Sequence, residues 1–277
     1  MVDLLLKYFS FVVFILAASG VFAQRSIDSM VQCEKNFANT ALVASTKEAF
    51  VKFIDTAGIV FEKGNPVNGF ELYTKSERRP GILTWEPEYA EISSSNDFGY
   101  TTGPWKYYAN TLKDDPLAKG HFITVWHLNK NGEWKFLIDF GINYNLERKK
   151  MALKKVKPEK DELKNDFQQS LKEAEEKFIQ SYKAQGKRAY SSFLSSNSRL
   201  NYAGYLPALN STERKALIDS LPSGIGYAIV GFGSSPKNDL GYVYGTADIN
   251  DKHEGYLRIW RREKEGWKIA VEVLRFK

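Results

Sequence analysis

Cysteine is nearly absent from this chain: Cys33 is the only one in 277 residues. No internal disulfide can form, so stability has to come from packing. Cys33 falls in a helical pattern and is expected to be a small buried filler. Histidine is almost as scarce, with three in all. His121 and His127 lie six apart on one strand face, but no Cys or Asp cluster supplies further ligands, so no metal is expected. There is no nucleophile elbow, phosphate-cradling glycine loop or dinucleotide fingerprint, and no cofactor is implied. Beyond the first two dozen residues, no apolar run reaches the roughly 20 residues a spanning helix needs.

The opening residues have a pattern of their own. Lys7 precedes Tyr8–Ala18, a nearly unbroken apolar run, and Val21 and Ala23 occupy the small-residue positions of a cleavage site. This predicts a bacterial-type secretory signal over 1–23, cut after Ala23, and hence a periplasmic or extracellular protein. The alternative, a membrane anchor, is too short. With no Cys after the run, a lipoprotein is not expected.

Net charge is +6, concentrated at Glu147–Lys164, with eight basic and four acidic residues. This stretch reads as a solvated linker. Nucleic-acid binding would need a basic patch with aromatic or motif support, and none accompanies it. The remaining length is enough for two domains of about 100–150 residues.

Internal comparison shows a repeat. Asn96-Asp97-Phe98-Gly99-Tyr100-Thr101-Thr102-Gly103 recurs as Asn238-Asp239-Leu240-Gly241-Tyr242-Val243-Tyr244-Gly245. Glu34-Lys35-Asn36-Phe37 matches Glu175-Glu176-Lys177-Phe178, and Phe122-Ile123-Thr124-Val125-Trp126 matches Tyr256-Leu257-Arg258-Ile259-Trp260. Trp134 falls on Trp267, and Asp139 on Glu272. The first copy carries about eight extra residues in Pro104–Lys119. The expected organisation is a first domain over 26–144, a linker without strand character over 145–165, and a second domain over 166–277.

Each copy opens with a helical pattern. Ile27, Met30, Val31, Glu34, Phe37 and Ala41 share one face in the first copy, and Phe167, Leu171, Ala174, Phe178 and Tyr182 do so in the second. A shorter helix is predicted near Pro66–Lys75, with Asn65-Pro66 at its start. Asn210-Ser211-Thr212-Glu213 reads as another helix N-terminus rather than a glycosylation acceptor. Strands follow, with hairpin loops at Asn129–Glu133 and Arg262–Gly266. Helices first and antiparallel strands after define an α+β class.

Trp85-Glu86-Pro87, the Ser94–Gly103 run, Gly120–Trp126 and Gly132-Glu133-Trp134-Lys135 together resemble the SnoaL-like branch of the nuclear-transport-factor-2-like (ketosteroid-isomerase-like) superfamily. The second copy departs from it, with Tyr227 for Trp85 and Thr246-Ala247 for Pro104-Trp105. The resemblance implies two cone-shaped domains. Each would be a strongly curved, mostly antiparallel sheet wrapped around its long N-terminal helix, with an apolar cavity at one end. It leaves function open, because the superfamily includes isomerases, dehydratases, binders and interaction modules.

Strict alternation places Trp134, Phe136, Ile138 and Phe140 on one face of their strand and Lys135, Leu137 and Asp139 on the other. Asp139 is the candidate catalytic base, with Tyr100 or Thr124 as hydroxyl donors. The competing reading has Asp139 and Glu272 at exposed strand ends or paired with cations. Candidate ligand-binding residues are Trp85, Tyr100, Thr102, Trp105, Phe122, Thr124 and Trp126 in the first copy, and Tyr242, Tyr244, Arg258, Trp260 and Glu272 in the second. Arg258 would hold Glu272 or an anion if it points inward, and is otherwise a surface arginine. Three functional readings follow: a small, partly apolar ligand in the first cone, an interaction module pairing through sheet faces as an internal pseudo-dimer or a homodimer, and an isomerase- or dehydratase-type enzyme.

Overall fold

The six buried residues of the first helix are the six on the predicted apolar face: Ile27, Met30, Val31, Glu34, Phe37 and Ala41. The computed structural model describes residues 25–158, 170–222 and 224–276; the predicted signal and Phe167 lie outside them. Helix α1 (Ile27–Val43) starts where Ser26 Oγ accepts the Ser29 N–H, at 3.1 Å, satisfying one of the free amides of the first turn. A second capped helix, α2 (Thr46–Phe53), packs beside it. Strand β1 (Ile54–Glu62) follows, then β2 (Asn65–Asn68), α3 (Gly69–Lys75), β3 (Ile82–Trp85), β4 (Tyr89–Ile92), β5 (Phe98–Tyr108), β6 (Ala118–Leu128), β7 (Trp134–Asn143) and β8 (Lys154–Val156). The strands form one curved sheet in the order β2-β1-β7-β6-β5-β4-β8, with β3 also pairing β5.

The second half has a similar order of elements with fewer strands: α4 (Leu171–Gln185), α5 (Tyr190–Phe193), β9 (Leu194–Tyr202), α6 (Ser211–Asp219), β10 (Gly226–Ser234), β11 (Leu240–Ile249), β12 (Lys252–Glu263) and β13 (Gly266–Leu274), with sheet order β10-β11-β12-β13-β9. Strand β9 runs parallel to β13 as β1 does to β7, and the other pairs from β10 to β13 are antiparallel. Helix α6 carries the expected capping box, with Asn210 and Glu213 bonded reciprocally.

Corresponding turns agree in detail. Asn96 and Asn238 are both left-handed, at φ 58° and 52°, a conformation Asn tolerates better than most residues. In each turn the following Asp carbonyl accepts an amide from the neighbouring strand: Leu128 N to Asp97 O, and Arg262 N to Asp239 O, both at 2.8 Å. Gly99 and Gly241 allow the helices to approach, since a Cβ there would stand 2.7 Å from Met30 Sδ or 2.6 Å from Leu171 Cδ2.

The two sheets face each other. Tyr89, Phe98, Tyr100, Ile123, Val125, Ile138 and Phe140 pack with Leu240, Leu257, Ile259, Val271 and Val273 in one shared apolar core. Polar contacts cross it as well. Arg261 Nη2 donates to Glu91 Oε2 at 2.6 Å, and Ser94 N donates to Asp239 Oδ2 at 2.6 Å. The helices lie on the far face of each sheet, α1 with Phe136 and Trp126, α4 with Trp260 and Ile269.

Three expectations need correction. Asn65–Asn68 is an edge strand, and α3 starts only at Gly69 with Asn68 as its cap. Pro66 lacks an N–H, and an edge strand tolerates that. The basic segment contributes β8, parallel to β4. Glu88 anchors it, taking Met151 N at 2.9 Å, the Arg148 guanidinium, and Lys154 N on its carbonyl at 3.0 Å. Strict alternation also fails. A bulge opposite Val125/Trp126 inserts Leu137, so Trp134 and Phe136 face α1 while Ile138 and Phe140 face the other sheet. The bulge recurs opposite Ile259/Trp260. Asp139 and Glu272 are thereby turned to the helix side.

The surplus of the first half appears in the β5–β6 hairpin, whose counterpart between β11 and β12 is only Asn250-Asp251. Cys33 is partly buried, its thiol 3.6 Å from Trp134 O. No helix among the described residues is long and apolar enough to cross a membrane.

Candidate functional site

In the second sheet Arg258 stands directly across from Glu272. Its Nε donates to Glu272 Oε1 at 2.6 Å and its Nη1 to Glu175 Oε1 from α4. The guanidinium lies 4.3, 4.1 and 4.6 Å from the ring centroids of Phe178, Tyr227 and Tyr256. Tyr190 and Tyr202 hydroxyls donate to the other Glu272 oxygen, and Trp260 Nε1 donates to Glu175 at 2.8 Å. Arg258, Glu175 and Glu272 are all fully buried. Burial works against the charge of Arg258, but Glu175 and Glu272 hold its pKa well above the ordinary value.

The first sheet has the same frame without the arginine. Thr124 stands across from Asp139 and its hydroxyl donates to Asp139 Oδ2 at 3.1 Å. Glu34, at the position of Glu175, is completely buried and accepts from Thr101 Oγ1, Trp85 Nε1 at 2.6 Å and Trp126 Nε1 at 2.9 Å. None of these partners is a cation. Burial holds the Glu34 carboxyl above the usual range, against the pull of those donors. Asp139 is pushed up to about 7, by burial first and the neighbouring Glu34 charge second, with Thr124 and Arg275 opposing.

Beside Asp139 the interior opens into two contiguous hollows of about 540 and 390 Å³, sharing Tyr73, Arg79, Leu83, Asp139, Gly141 and Arg275. Phe37, Trp85, Trp105 and Phe122 wall the smaller one. Tyr73 stacks on Phe50 at 4.2 Å. Burial and the proximity of Asp139 raise its phenol pKa, so it stays a hydroxyl donor. Arg275 arrives from the end of β13, in the other half of the chain. Its guanidinium lies 4.5 Å from the Phe140 centroid and its Nε donates to Gly141 O at 2.8 Å. The arrangement offers an ionisable carboxyl, a hydroxyl, aromatic walls and two arginines.

Of the residues singled out in the sequence, Asp139, Trp85, Trp105 and Phe122 line the hollow and Thr124 supports it. Trp126 is fully buried beneath it on Glu34. The others lie elsewhere. Tyr100 faces the second sheet and donates to Glu91 at 2.7 Å, and Thr102 bonds to Phe122 O. Tyr242 and Tyr244 sit in the same inter-sheet layer, against Phe98 and Phe61. These four side chains take the outward phase of β5 and β11. Arg258, Trp260 and Glu272 are consumed by their own buried network. The pairing of Arg258 with Glu272, one of the readings left open, is the one observed; the surface-arginine reading is not.

His121 is buried without a hydrogen-bond partner, and burial lowers its pKa well below the usual value. His127 pairs with Asp55 at 2.8 Å. Among the described residues no cluster is suited to a metal ion. Sequence reasoning missed Glu34, Tyr73, Arg79 and Arg275 as site residues. Glu34 had a signal, since a carboxylate inside an apolar helical stripe needs buried donors.

No family model matches the chain, and no curated protein does. Among solved structures it is similar to a putative ketosteroid isomerase from Parabacteroides distasonis ATCC 8503, at 16% identity over 46% of this chain and 93% of that one, TM-score 0.35. It is also similar to an NTF-2 like protein of unknown function from Shewanella oneidensis MR-1, at 20% identity over 41% and 96%, TM-score 0.33. An NTF2-like protein of unknown function from Cytophaga hutchinsonii ATCC 33406 matches at 14% identity over 41% and 95%, TM-score 0.32.

Proposed function

We propose that this chain is an exported binding protein made of two tandem, cone-shaped NTF2-like domains. The first would take a small, partly apolar molecule, while the second serves as a closed structural partner. Residues 1–23 act as the export signal. The domains span 26–144, extended by the β8 strand of the linker, and 166–277. Their sheets join face to face as an internal pseudo-dimer, a reading supported by the shared apolar core.

The observation that carries the binding role is the aromatic-walled hollow beside Asp139, set against the fully buried ion network around Arg258. A neutral fluorescent probe, N-phenyl-1-naphthylamine, tests it with the purified full chain. Saturable one-to-one binding is expected, and Leu83→Trp, which fills the hollow from a half-buried wall position, abolishes it. Absence of saturable binding, or binding indifferent to that substitution, overturns the proposal.

One observation favours a second reading. A carboxyl that titrates near 7 beside a Tyr73 hydroxyl is suited to moving a proton on a bound carbonyl compound. Exchange of α-deuterium from a panel of small cyclic ketones, lost on Asp139→Asn, would support it. Exchange no faster than in buffer removes it.

A further inference from the structure

The second half of the chain displays, already bound, the chemical group whose place is empty in the first. Around the Arg258 guanidinium stand two carboxylates, Glu175 and Glu272, and three rings, Phe178, Tyr227 and Tyr256. Sequence matching and strand register give the corresponding residues of the first half as Glu34 and Asp139 with Phe37, Trp85 and Phe122. At the arginine position stands Thr124. Asp139 and the three rings all line the hollow of about 390 Å³.

We infer that the first hollow takes an organic monocation, a guanidinium, amidinium or primary ammonium group, seated between Asp139 and the aromatic walls. The inference rests on the reading of this hollow as a ligand site. The single hydrogen bond described for Asp139 comes from Thr124, so its carboxylate keeps acceptor sites for charge-assisted bonds from a planar cation. Phe37, Trp85 and Phe122 line the hollow, and aromatic rings attract a cation through their quadrupoles. Glu34 lies behind, held by Thr101, Trp85 and Trp126. Arg79 and Arg275 also line the hollow, and Arg275 is near enough to Asp139 to oppose its raised pKa. They oppose a second positive charge and suit a neutral or anionic tail.

Isothermal titration of the full chain at pH 8 with benzamidine, benzamide and benzoate provides the test, since the three share shape and differ in charge. Benzamidine is expected to bind one-to-one at least tenfold more tightly than benzamide, with benzoate weaker still. Asp139→Asn should erase the advantage of benzamidine over benzamide. Thr124→Arg, which installs the chain's own guanidinium, should eliminate benzamidine binding while circular dichroism shows an intact fold. Near pH 7, cation binding should release protons, read as a dependence of the observed heat on the ionisation enthalpy of the buffer. Equal binding of all three probes overturns the inference but leaves the hollow as a ligand site. Preference for benzoate overturns it in favour of Arg79 and Arg275. Binding of none removes both the inference and the ligand-site reading.

Discussion

Thr124 and Arg258 occupy one register position in their two sheets, each directly across from a carboxylate, Asp139 in one case and Glu272 in the other. The difference between a three-atom hydroxyl side chain and a guanidinium decides whether the interior is open or closed. Arg258→Met should therefore be costly. It leaves Glu175 and Glu272 buried without their cation, and breaking such a set typically costs about 3–5 kcal/mol. Urea denaturation at pH 7.5 would measure it. A loss below about 1 kcal/mol would mean the network contributes little.

Asp139 gives a pH signature. Its folded pKa, about 7, lies above the ordinary value of 3.8, so the native state holds the proton more tightly than the unfolded chain does. Stability is then fully present below about 4, falls as pH rises towards 7, and is level above that. Asp139→Asn should flatten this segment and exceed the wild type at pH 8 by about 2 kcal/mol, a shift discounted for partial solvent access. Denaturation midpoints at pH 5, 6, 7 and 8 test the sign; a wild type that gains stability across this range relative to the variant contradicts it.

The inter-sheet pair Glu91–Arg261 ties the halves together, with Tyr100 also donating to Glu91 at 2.7 Å. Glu91→Gln should lower stability by about 3 kcal/mol, the low end for a buried pair, because Arg261 keeps Asn197 at 2.7 Å and Ser195 at 3.1 Å. Unfolding should stay a single transition when followed by tryptophan fluorescence and by far-ultraviolet dichroism. Separate transitions for the two probes would show that the halves are not coupled.

Cys33 should be unreactive in the native protein. Burial, with Glu34 adding to it, pushes its thiol up to about 12, leaving little thiolate at pH 8. Labelling with a disulfide reagent should run at least about 100-fold slower than in 8 M urea, and comparable rates would contradict the burial.

Much of the fold was legible because it is written in local periodicity. The α1 core, the Asn210–Glu213 cap and the β6–β7 hairpin each follow from a few neighbouring residues. The bulge at Leu137 was not, because an inserted residue changes the phase of a strand without marking the sequence. Strand β8 was hidden for another reason. It is held by backbone pairing to β4 and by Glu88, so it needs no apolar alternation. Asp139 was found through its repetition as Glu272. Arg275 was invisible as a site residue, since it reaches the hollow from 134 residues beyond Gly141.

That reach sets how the protein can be dissected. A fragment ending after Val156 would lose the guanidinium that walls the pocket, and would uncover Ile123, Val125, Ile138 and Phe140 to water along a whole sheet face. Such a surface invites aggregation. Biochemistry on the first half alone would thus report on a different, stickier object whose ligand preferences need not match those of the intact chain.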